Sequence, residues 1–225
     1  MWFAGPVRRV PEAGRPLAPR LGFDLKPGMR VGLYGGSFDP AHAGHAHVAQ
    51  TALRRLGLDR VIWLVSARNP LKTRNGPADL SERIAGVRAL ARGPSMRVSD
   101  LESRIGTRYT LDMLRVLKAR FPGVHFVWIM GADNLAGCQD WRGWPDIFRT
   151  VPIAVVARPG AGPRAGLSPA ARRFAHARLP AGAARRLPLM EPPAWIYLAA
   201  PLKAVSSTAL RAQRRSPDLP ADNTT

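Results

Sequence analysis

The chain has 225 residues, 46% of them hydrophobic, which is enough for one sizeable α/β domain and too apolar for a disordered chain. No apolar run approaches the roughly 20 residues of a membrane-spanning helix, and the single cysteine, Cys138, excludes an intrachain disulfide and an all-cysteine metal site. The net charge of +19 is diffuse, and its densest part, residues 158–186, has seven arginines and no acid. Such charge attracts polyanions without defining a nucleic-acid site, so we expect no dedicated nucleic-acid partner.

The predicted elements alternate between strands and helices. Residues 1–28, rich in Pro, Gly and Arg, are predicted to be an irregular N-terminal extension. Continuous apolar runs predict strands at 29–35, 61–65, 96–98, 124–130, 151–157 and 194–198. Helical patterns lie at 44–56, 79–91, 110–121, 169–178 and 207–215, with two short helices between 134 and 149.

Strands that are apolar throughout favour a parallel sheet covered on both faces. The predicted fold class is α/β, a doubly wound (Rossmann-like) parallel sheet with helices on both faces, in a single domain. That domain is predicted to span residues 29–215, followed by a C-terminal tail at 216–225. The N-terminus lacks the apolar core of a signal peptide, so we expect a cytoplasmic protein without a membrane partner.

The segment from Gly35 to His45 joins the first strand to the first helix, where an open α/β sheet places its phosphate site. Glycines at 35 and 36 permit a sharp turn and a close approach to a ligand. His42 and His45 lie at the helix start, where free amides face an anion and each ring can donate to a phosphate oxygen. Taken singly, each feature has an ordinary explanation, but together they predict a phosphate site. Its expected residues are Gly35, Gly36, Ser37, Phe38, His42 and His45.

A second anion site is predicted at the start of the last helix. Ser206, Ser207 and Thr208 are three consecutive hydroxyl residues, and Arg211 follows one turn later. No Glu or Gln stands where a capping box needs one, so the helix start keeps its positive character. An ordinary N-cap with an exposed arginine is the alternative for this segment taken alone.

Together these motifs resemble the nucleotidyltransferases that carry a His-x-Gly-His signature, which are related to the class I tRNA synthetases. Adenylyltransferases of that superfamily have a similar Ser-Ser-Thr-x-x-Arg segment that grips the β- and γ-phosphates of ATP. The resemblance therefore implies catalytic roles for His42, His45 and Arg211, with Ser206, Ser207 and Thr208 as phosphate contacts.

From about Met29 to Arg215 the chain looks like the bacterial nicotinate-nucleotide adenylyltransferase family. Three further segments carry this resemblance: Pro70 to Lys72, Arg108 to Leu114, and Met130 to Trp141. It implies an Asp133 contact with the adenosine ribose and a nicotinate-nucleotide site formed by Lys72, Tyr109, Thr110 and Trp141. We also expect Thr110 to N-cap its helix. The chain departs from the family's common residues at Leu71, Arg108 and Arg142.

The family implies adenylyl transfer from ATP to nicotinate mononucleotide in NAD biosynthesis, giving nicotinate adenine dinucleotide and pyrophosphate. Mg²⁺ is expected to arrive with ATP, held by phosphate oxygens and water, because no protein metal ligands are evident. Two alternatives stay open: another acceptor (nicotinamide mononucleotide or phosphopantetheine), and a non-catalytic RNA-binding module. A homo-oligomer is also possible.

Overall fold

A computed structural model of the chain describes residues 23–66, 79–157 and 165–199. The strands are β1 (Arg30–Gly36), β2 (Arg60–Val65), β3 (Met96–Ser99), β4 (His125–Gly131), β5 (Ile153–Val156), β6 (Arg178–Leu179) and β7 (Trp195–Leu198). They form one sheet in the order β3-β2-β1-β4-β5-β7-β6, and every pairing is parallel. The predicted doubly wound α/β fold is therefore confirmed.

Helices connect the strands of this sheet. They are α1 (Ala43–Leu56), α2 (Leu80–Leu90), α3 (Leu101–Arg104), α4 (Thr110–Arg120), α5 (Ala132–Ala136), α6 (Trp144–Thr150) and α7 (Pro169–Arg173). Short 3₁₀ segments lie at Cys138–Asp140, Ala175–Ala177 and Ala181–Leu189. Within the described ranges, no helix is long and apolar enough to cross a membrane.

The sheet is buried on both faces because its central strands β1, β2 and β4 are apolar at every position after the first. Val31 and Leu33 of β1 belong to one hydrophobic cluster, whereas Tyr34 of the same strand belongs to a second. In β2, Ile62 and Trp63 divide between the two clusters in the same way. Alternate side chains of a strand point to opposite faces, so each face has its own core.

Most predicted elements agree with the structure to within a few residues, but three were missed. The helix α3 is one turn long, β6 has two residues, and Ala181–Leu189 is 3₁₀-helical where irregular chain was expected. The first two have too few residues to show a hydrophobic period, whereas Ala181–Leu189 contains Gly182 and Pro188, which typically interrupt a helix. The predicted helix 207–215 lies outside the described residues.

The end of the predicted N-terminal extension packs on the domain. Leu25 is buried in the core cluster, and the ring of Phe23 lies 6.0 Å from that of Phe121 at the end of α4. The amide of Gly28 donates to the carbonyl of Gly123 before β4. The packed part of the chain therefore begins before residue 29.

Part of the arginine-rich stretch covers the domain's own aromatic rings. The guanidinium of Arg178 lies 5.2 Å from the centroid of the Trp195 ring and 5.8 Å from that of Tyr197. Arg173 lies 5.5 Å from the ring of Trp144. Arginine stacks favourably on aromatic faces, so these side chains have packing roles that need no polyanion.

A steric contact explains Gly35 at the end of β1. A Cβ atom at this position would overlap the indole of Trp128 on β4, whose Cζ2 would lie 2.9 Å away. Trp128 is 2% exposed and surrounded by the core, so it has no room to withdraw. Only glycine fits here.

We expect Gly35→Ala to lower the free energy of unfolding by about 1–3 kcal/mol, because the added methyl group overpacks the core against Trp128. Chemical denaturation with tryptophan fluorescence measures this change. Gly182→Ala is the matched control, since nothing lies within 4 Å of a Cβ at that position. Equal stabilities for the two variants would contradict the steric assignment.

Candidate nucleotide-binding site

The candidate site lies at the carboxyl edge of the sheet, between β1 and β4. From β1 the chain builds outward through β2 and β3 on one side, and through β4, β5 and β7 on the other. The connections after β1 and β4 therefore leave in opposite directions and open a crevice between them. Ligands of doubly wound folds bind at this switch point.

The turn after β1 is held by aromatic packing. Phe38 has a φ of 47°, in the left-handed region that non-glycine residues rarely adopt. Its ring is buried among three others, at centroid distances of 5.3 Å from Tyr34, 5.3 Å from Trp63 and 5.1 Å from His45. Packing of the ring therefore supports a strained backbone beside the histidines.

One physical argument from the sequence is wrong at this turn. We expected the two glycines to make it, yet Gly35 and Gly36 are the last residues of β1, and neither has a positive φ. The unusual backbone belongs to Phe38, while Gly35 is required by Trp128. Close approach of a ligand to Gly35, Gly36 and Ser37 stays a prediction.

His42 and His45 form a reciprocal cap at the start of α1. His42 is the N-cap residue, and its Nδ1 accepts a hydrogen bond from the amide of Gly44 at 3.1 Å. The amide of His42 in turn donates to Nδ1 of His45 at 3.2 Å. The two rings lie 3.8 Å apart between centroids. This is a capping box built from imidazoles in place of the usual hydroxyl and carboxylate.

The cap fixes where each histidine carries its hydrogen. A ring nitrogen that accepts from a backbone amide is unprotonated, so the hydrogen of each neutral ring lies on Nε2. Nε2–H is then the group through which each ring can donate, and an anion at the helix start is a suitable acceptor. The first turn of α1 contains no acidic residue, and the helix start therefore keeps its positive character.

A buried arginine joins the turn to the neighbouring strand end. Arg83 on α2 is 4% exposed, and its Nη1 donates to the carbonyls of Ser37 at 2.9 Å and Ser66 at 2.8 Å. Ser66 directly follows β2, and its amide donates to the carbonyl of Gly36 at 3.0 Å. The ends of β1 and β2 are thus tied together.

Glu102, in the one-turn helix α3, is a buried acidic residue that interacts electrostatically with Arg83. It is 6% exposed, and burial raises the pKa of its carboxyl to about 7, with the positive charge of Arg83 acting in the opposite direction. Burial lowers the pKa of Arg83, whereas the charges of Asp39, Asp79 and Glu102 raise it. Carboxylates thus act on the guanidinium from the turn after β1, from the start of α2 and from α3.

A cavity of about 540 Å³ opens beside the start of α4, where the family resemblance implies the pyridine nucleotide. Tyr109, Arg108, Asp112 and Arg142 are among its lining residues. The guanidinium of Arg142 lies 4.4 Å from the centroid of the Tyr109 ring.

The expected N-cap role of Thr110 is wrong. Tyr109 occupies the N-cap position and Thr110 is the first helical residue. The hydroxyl of Thr107, three residues before Thr110, accepts a hydrogen bond from the amide of Tyr109 at 3.2 Å.

Asp133 and Trp141 follow β4 on the same edge. Asp133 is exposed in the first turn of α5, and Gly131 at the end of β4 caps this helix. Trp141 is half-buried, and its ring meets Trp128 edge-to-face at 6.4 Å between centroids. Trp128 therefore contacts both the end of β1 and Trp141.

The remaining predicted site residues lie outside the described ranges: Lys72, Ser206, Ser207, Thr208 and Arg211. Of the residues that the structure describes, no three His, Cys, Asp or Glu side chains group as metal ligands. The protein part described here therefore offers no cage for a resident metal ion.

Sequence reasoning missed Arg83 and Glu102. The available signal was helical periodicity, because Arg83 shares one face of α2 with Leu80 and Val87, which are both packed in the core. A charged residue on an apolar face is almost always paired when it is fully buried.

A histidine-capped helix start at the switch point of a doubly wound sheet defines a nucleotide-binding α/β protein. Comparison with known proteins narrows this class. The cytidylyltransferase-like family model matches residues 33–213.

A probable nicotinate-nucleotide adenylyltransferase of Caulobacter sp. (strain K31) is 62% identical over 186 residues, which cover 83% of this chain and 98% of the relative. A relative with the same description from Cereibacter sphaeroides (strain ATCC 17023) is 54% identical over 187 residues, again 83% of this chain and 98% of the relative. The chain belongs to the cytidylyltransferase-like family and, within it, to the nicotinate-nucleotide adenylyltransferases, as the sequence resemblance indicated.

Solved structures agree on the fold. The Plasmodium falciparum nicotinic acid mononucleotide adenylyltransferase complexed with NaAD superposes with a TM-score of 0.60 at 16% identity. The match covers 81% of this chain and 82% of that one.

We expect the stability of the protein to depend on the ionisation of Glu102. The pKa of the carboxyl in the unfolded chain is near its ordinary value of 4.5, whereas burial raises the pKa in the folded protein to about 7. Between these values folding takes up a proton, so stability is lost as the pH rises from about 4.5 through 7. Relative to Glu102→Gln, the free energy of unfolding of wild type should fall by up to about 3 kcal/mol between these two pH values.

Urea denaturation at a series of pH values between 4.5 and 8 measures the difference between the two proteins. Glu82→Gln, at an exposed position of α2, controls for the loss of one carboxyl. A difference between wild type and Glu102→Gln that does not change with pH would rule out the buried titration.

Proposed function

We propose that this chain transfers the adenylyl group of ATP to nicotinate mononucleotide, producing nicotinate adenine dinucleotide and pyrophosphate. The observation that carries the proposal is the imidazole cap of α1, which places two Nε2–H donors at the switch point of the sheet. Family membership supports the same reaction, since the curated relatives are described as nicotinate-nucleotide adenylyltransferases.

The chemistry asks little of an acid or a base. The 5′-phosphate of the acceptor is ionised at neutral pH and attacks the α-phosphorus of ATP directly. A new bond forms between the acceptor oxygen and the α-phosphorus, the bond to the bridging oxygen breaks, and pyrophosphate leaves with the electron pair. Catalysis then consists of positioning the two phosphates and stabilising the negative charge that accumulates.

The residues of the turn divide these tasks. Nε2–H of His42 and of His45 donates to the α- and β-phosphate oxygens, with the start of α1 adding its positive end. We propose that the same phosphates are also contacted by the backbone of Gly35, Gly36, Ser37 and Phe38. Ser206, Ser207, Thr208 and Arg211 are proposed to hold the leaving pyrophosphate, as the family resemblance implies.

We propose that Mg²⁺ enters as part of the MgATP substrate. Among the described residues no metal-ligand cluster competes for this role. Mg²⁺ retains water and binds phosphate oxygens readily, so a carboxylate cage is not required. It neutralises part of the triphosphate charge.

The acceptor is proposed to occupy the cavity beside α4. Arg108 and Arg142 give this cavity two guanidinium groups against the one carboxylate of Asp112, which favours an acceptor with a carboxylate on its ring over the corresponding amide. Tyr109 and Thr110 are proposed to border the acceptor at the start of α4. Trp141 is proposed to present an aromatic face to the pyridine ring of the acceptor. Lys72 is proposed to contact the phosphate of the acceptor. Asp133 is proposed to contact the adenosine ribose.

Pyrophosphate release from MgATP tests this assignment, with nicotinate mononucleotide, nicotinamide mononucleotide and phosphopantetheine offered in parallel. We expect kcat/KM to be at least tenfold higher for the nicotinate acceptor. Faster release with another acceptor would contradict the acceptor assignment while keeping adenylyl transfer. No release with any acceptor, together with salt-sensitive binding of RNA, would favour the RNA-binding alternative.

The cap geometry permits a test that separates catalysis from folding. In His45→Glu, a carboxylate at the third helical position can still accept the amide of His42, as in an ordinary capping box. The carboxylate cannot donate a hydrogen bond to a phosphate, and its negative charge repels the phosphate. We expect kcat to fall at least about a hundredfold, while the Tm falls less than in His45→Ala because the cap of α1 is kept.

His45→Ala should lose both the donor and the cap, and so lower kcat and Tm together. Gln50→Glu, which adds the same charge at an exposed position of α1, controls for electrostatics. Near-normal turnover in His45→Glu would exclude the ring as a phosphate donor.

A further inference from the structure

Arg83 is a buried cation that the nucleotide contacts proposed above do not use. It lies on α2, outside the turn, and none of its atoms is proposed to contact a substrate. An uncompensated buried guanidinium is costly, so the fold must supply both hydrogen-bond acceptors and negative charge for it. Both are present, as the two carbonyl contacts and the three surrounding carboxylates show.

The two carbonyl groups belong to different strand ends. Ser37 lies directly after β1, in the turn that leads to the histidine cap, and Ser66 lies directly after β2, where the segment containing Lys72 begins. A single guanidinium nitrogen reaches both oxygens within 2.9 Å. The two N–H bonds of this nitrogen have fixed directions in the guanidinium plane at the end of a long side chain, which the shorter lysine with its freely rotating ammonium does not reproduce.

The contact at Ser37 precedes Phe38, whose positive φ is unfavourable by itself. Strained backbone persists only where its surroundings over-determine it. The Phe38 ring is held on one side by Tyr34, Trp63 and His45, and the carbonyl before it is held by Arg83. Removing either support lets the turn relax and shifts the cap that follows.

We propose that Arg83 is the positioning residue of the nucleotide site: it ties the carbonyls of Ser37 and Ser66 together and so holds the turn and the histidine cap in their phosphate-binding geometry. This inference rests on the proposed function for the identity of the nucleotide. The mechanism is indirect, because Arg83 acts through the positions of His42 and His45.

Arg83→Lys tests the inference most cleanly, since it keeps the positive charge but loses the fixed pair of donors. We expect its kcat/KM for ATP to fall at least tenfold, because small displacements of positioned groups are costly to catalysis. The KM of the acceptor should change less than twofold. Arg88→Lys, the same exchange at an exposed position of α2, is the matched control.

A double-mutant cycle distinguishes positioning from a general loss of stability. If Arg83 acts through the histidine cap, Arg83→Lys should lower kcat/KM for ATP much less in a His45→Ala background than in wild type. Additive losses, or wild-type kinetics in Arg83→Lys, would overturn the proposal. Should Arg83→Lys fail to fold, Arg83→Gln, a neutral side chain with an amide donor, takes its place in the same cycle.

A binding measurement keeps this test independent of the reaction assignment. The affinity of a non-hydrolysable ATP analogue, measured by calorimetry at a temperature well below the Tm of each variant, should follow the same pattern across the cycle. If wild type binds the analogue but transfers nothing to a pyridine nucleotide, the proposed reaction fails, and the analogue still decides the role of Arg83. Unchanged analogue affinity in a folded Arg83→Lys protein would refute the positioning role.

Discussion

The pairing of β1 with β4 is the constraint on which the rest of this structure depends. Both strands are buried on both faces, so their neighbours must be parallel strands with helical crossovers. The connections after β1 and β4 leave the carboxyl edge of the sheet in opposite directions, and a crevice lies between them. The histidine cap after β1 and the Asp133 and Trp141 segment after β4 therefore face one crevice, although they are far apart in sequence.

The sequence predicted what depends on local pattern. Continuous apolar runs identified the main strands, and the His-x-x-His spacing at a strand–turn–helix junction identified the turn whose histidines cap α1. What it did not predict depends on contacts between distant segments. The reason for Gly35 is the Trp128 ring on another strand, and the partners of Arg83 are backbone carbonyls, which no side-chain pattern reveals. The stacking of Arg142 on Tyr109 likewise joins the regions after β3 and β4.

The high positive charge also looks different once the fold is known. Arginines of the basic stretch lie over Trp144, Trp195 and Tyr197, where they cover apolar surface while their charge stays near solvent. Arg83 is the opposite case, a cation inside the protein that organises backbone. Arginine thus packs on aromatic rings at the surface and holds backbone carbonyls in place in the interior. Net charge alone does not distinguish these two roles.

Trp128 has a consequence for how this site can change over evolutionary time. Its indole leaves no space for a side chain at Gly35 on the nucleotide side, and it meets the ring of Trp141 on the acceptor side. Under the proposed assignment, the two substrates share one rigid wall. A smaller or reoriented side chain at this position alters both half-sites at once. Lineages that acquire a new acceptor are therefore expected to vary the exposed rim, where Arg108 and Arg142 stand, and to inherit the wall unchanged.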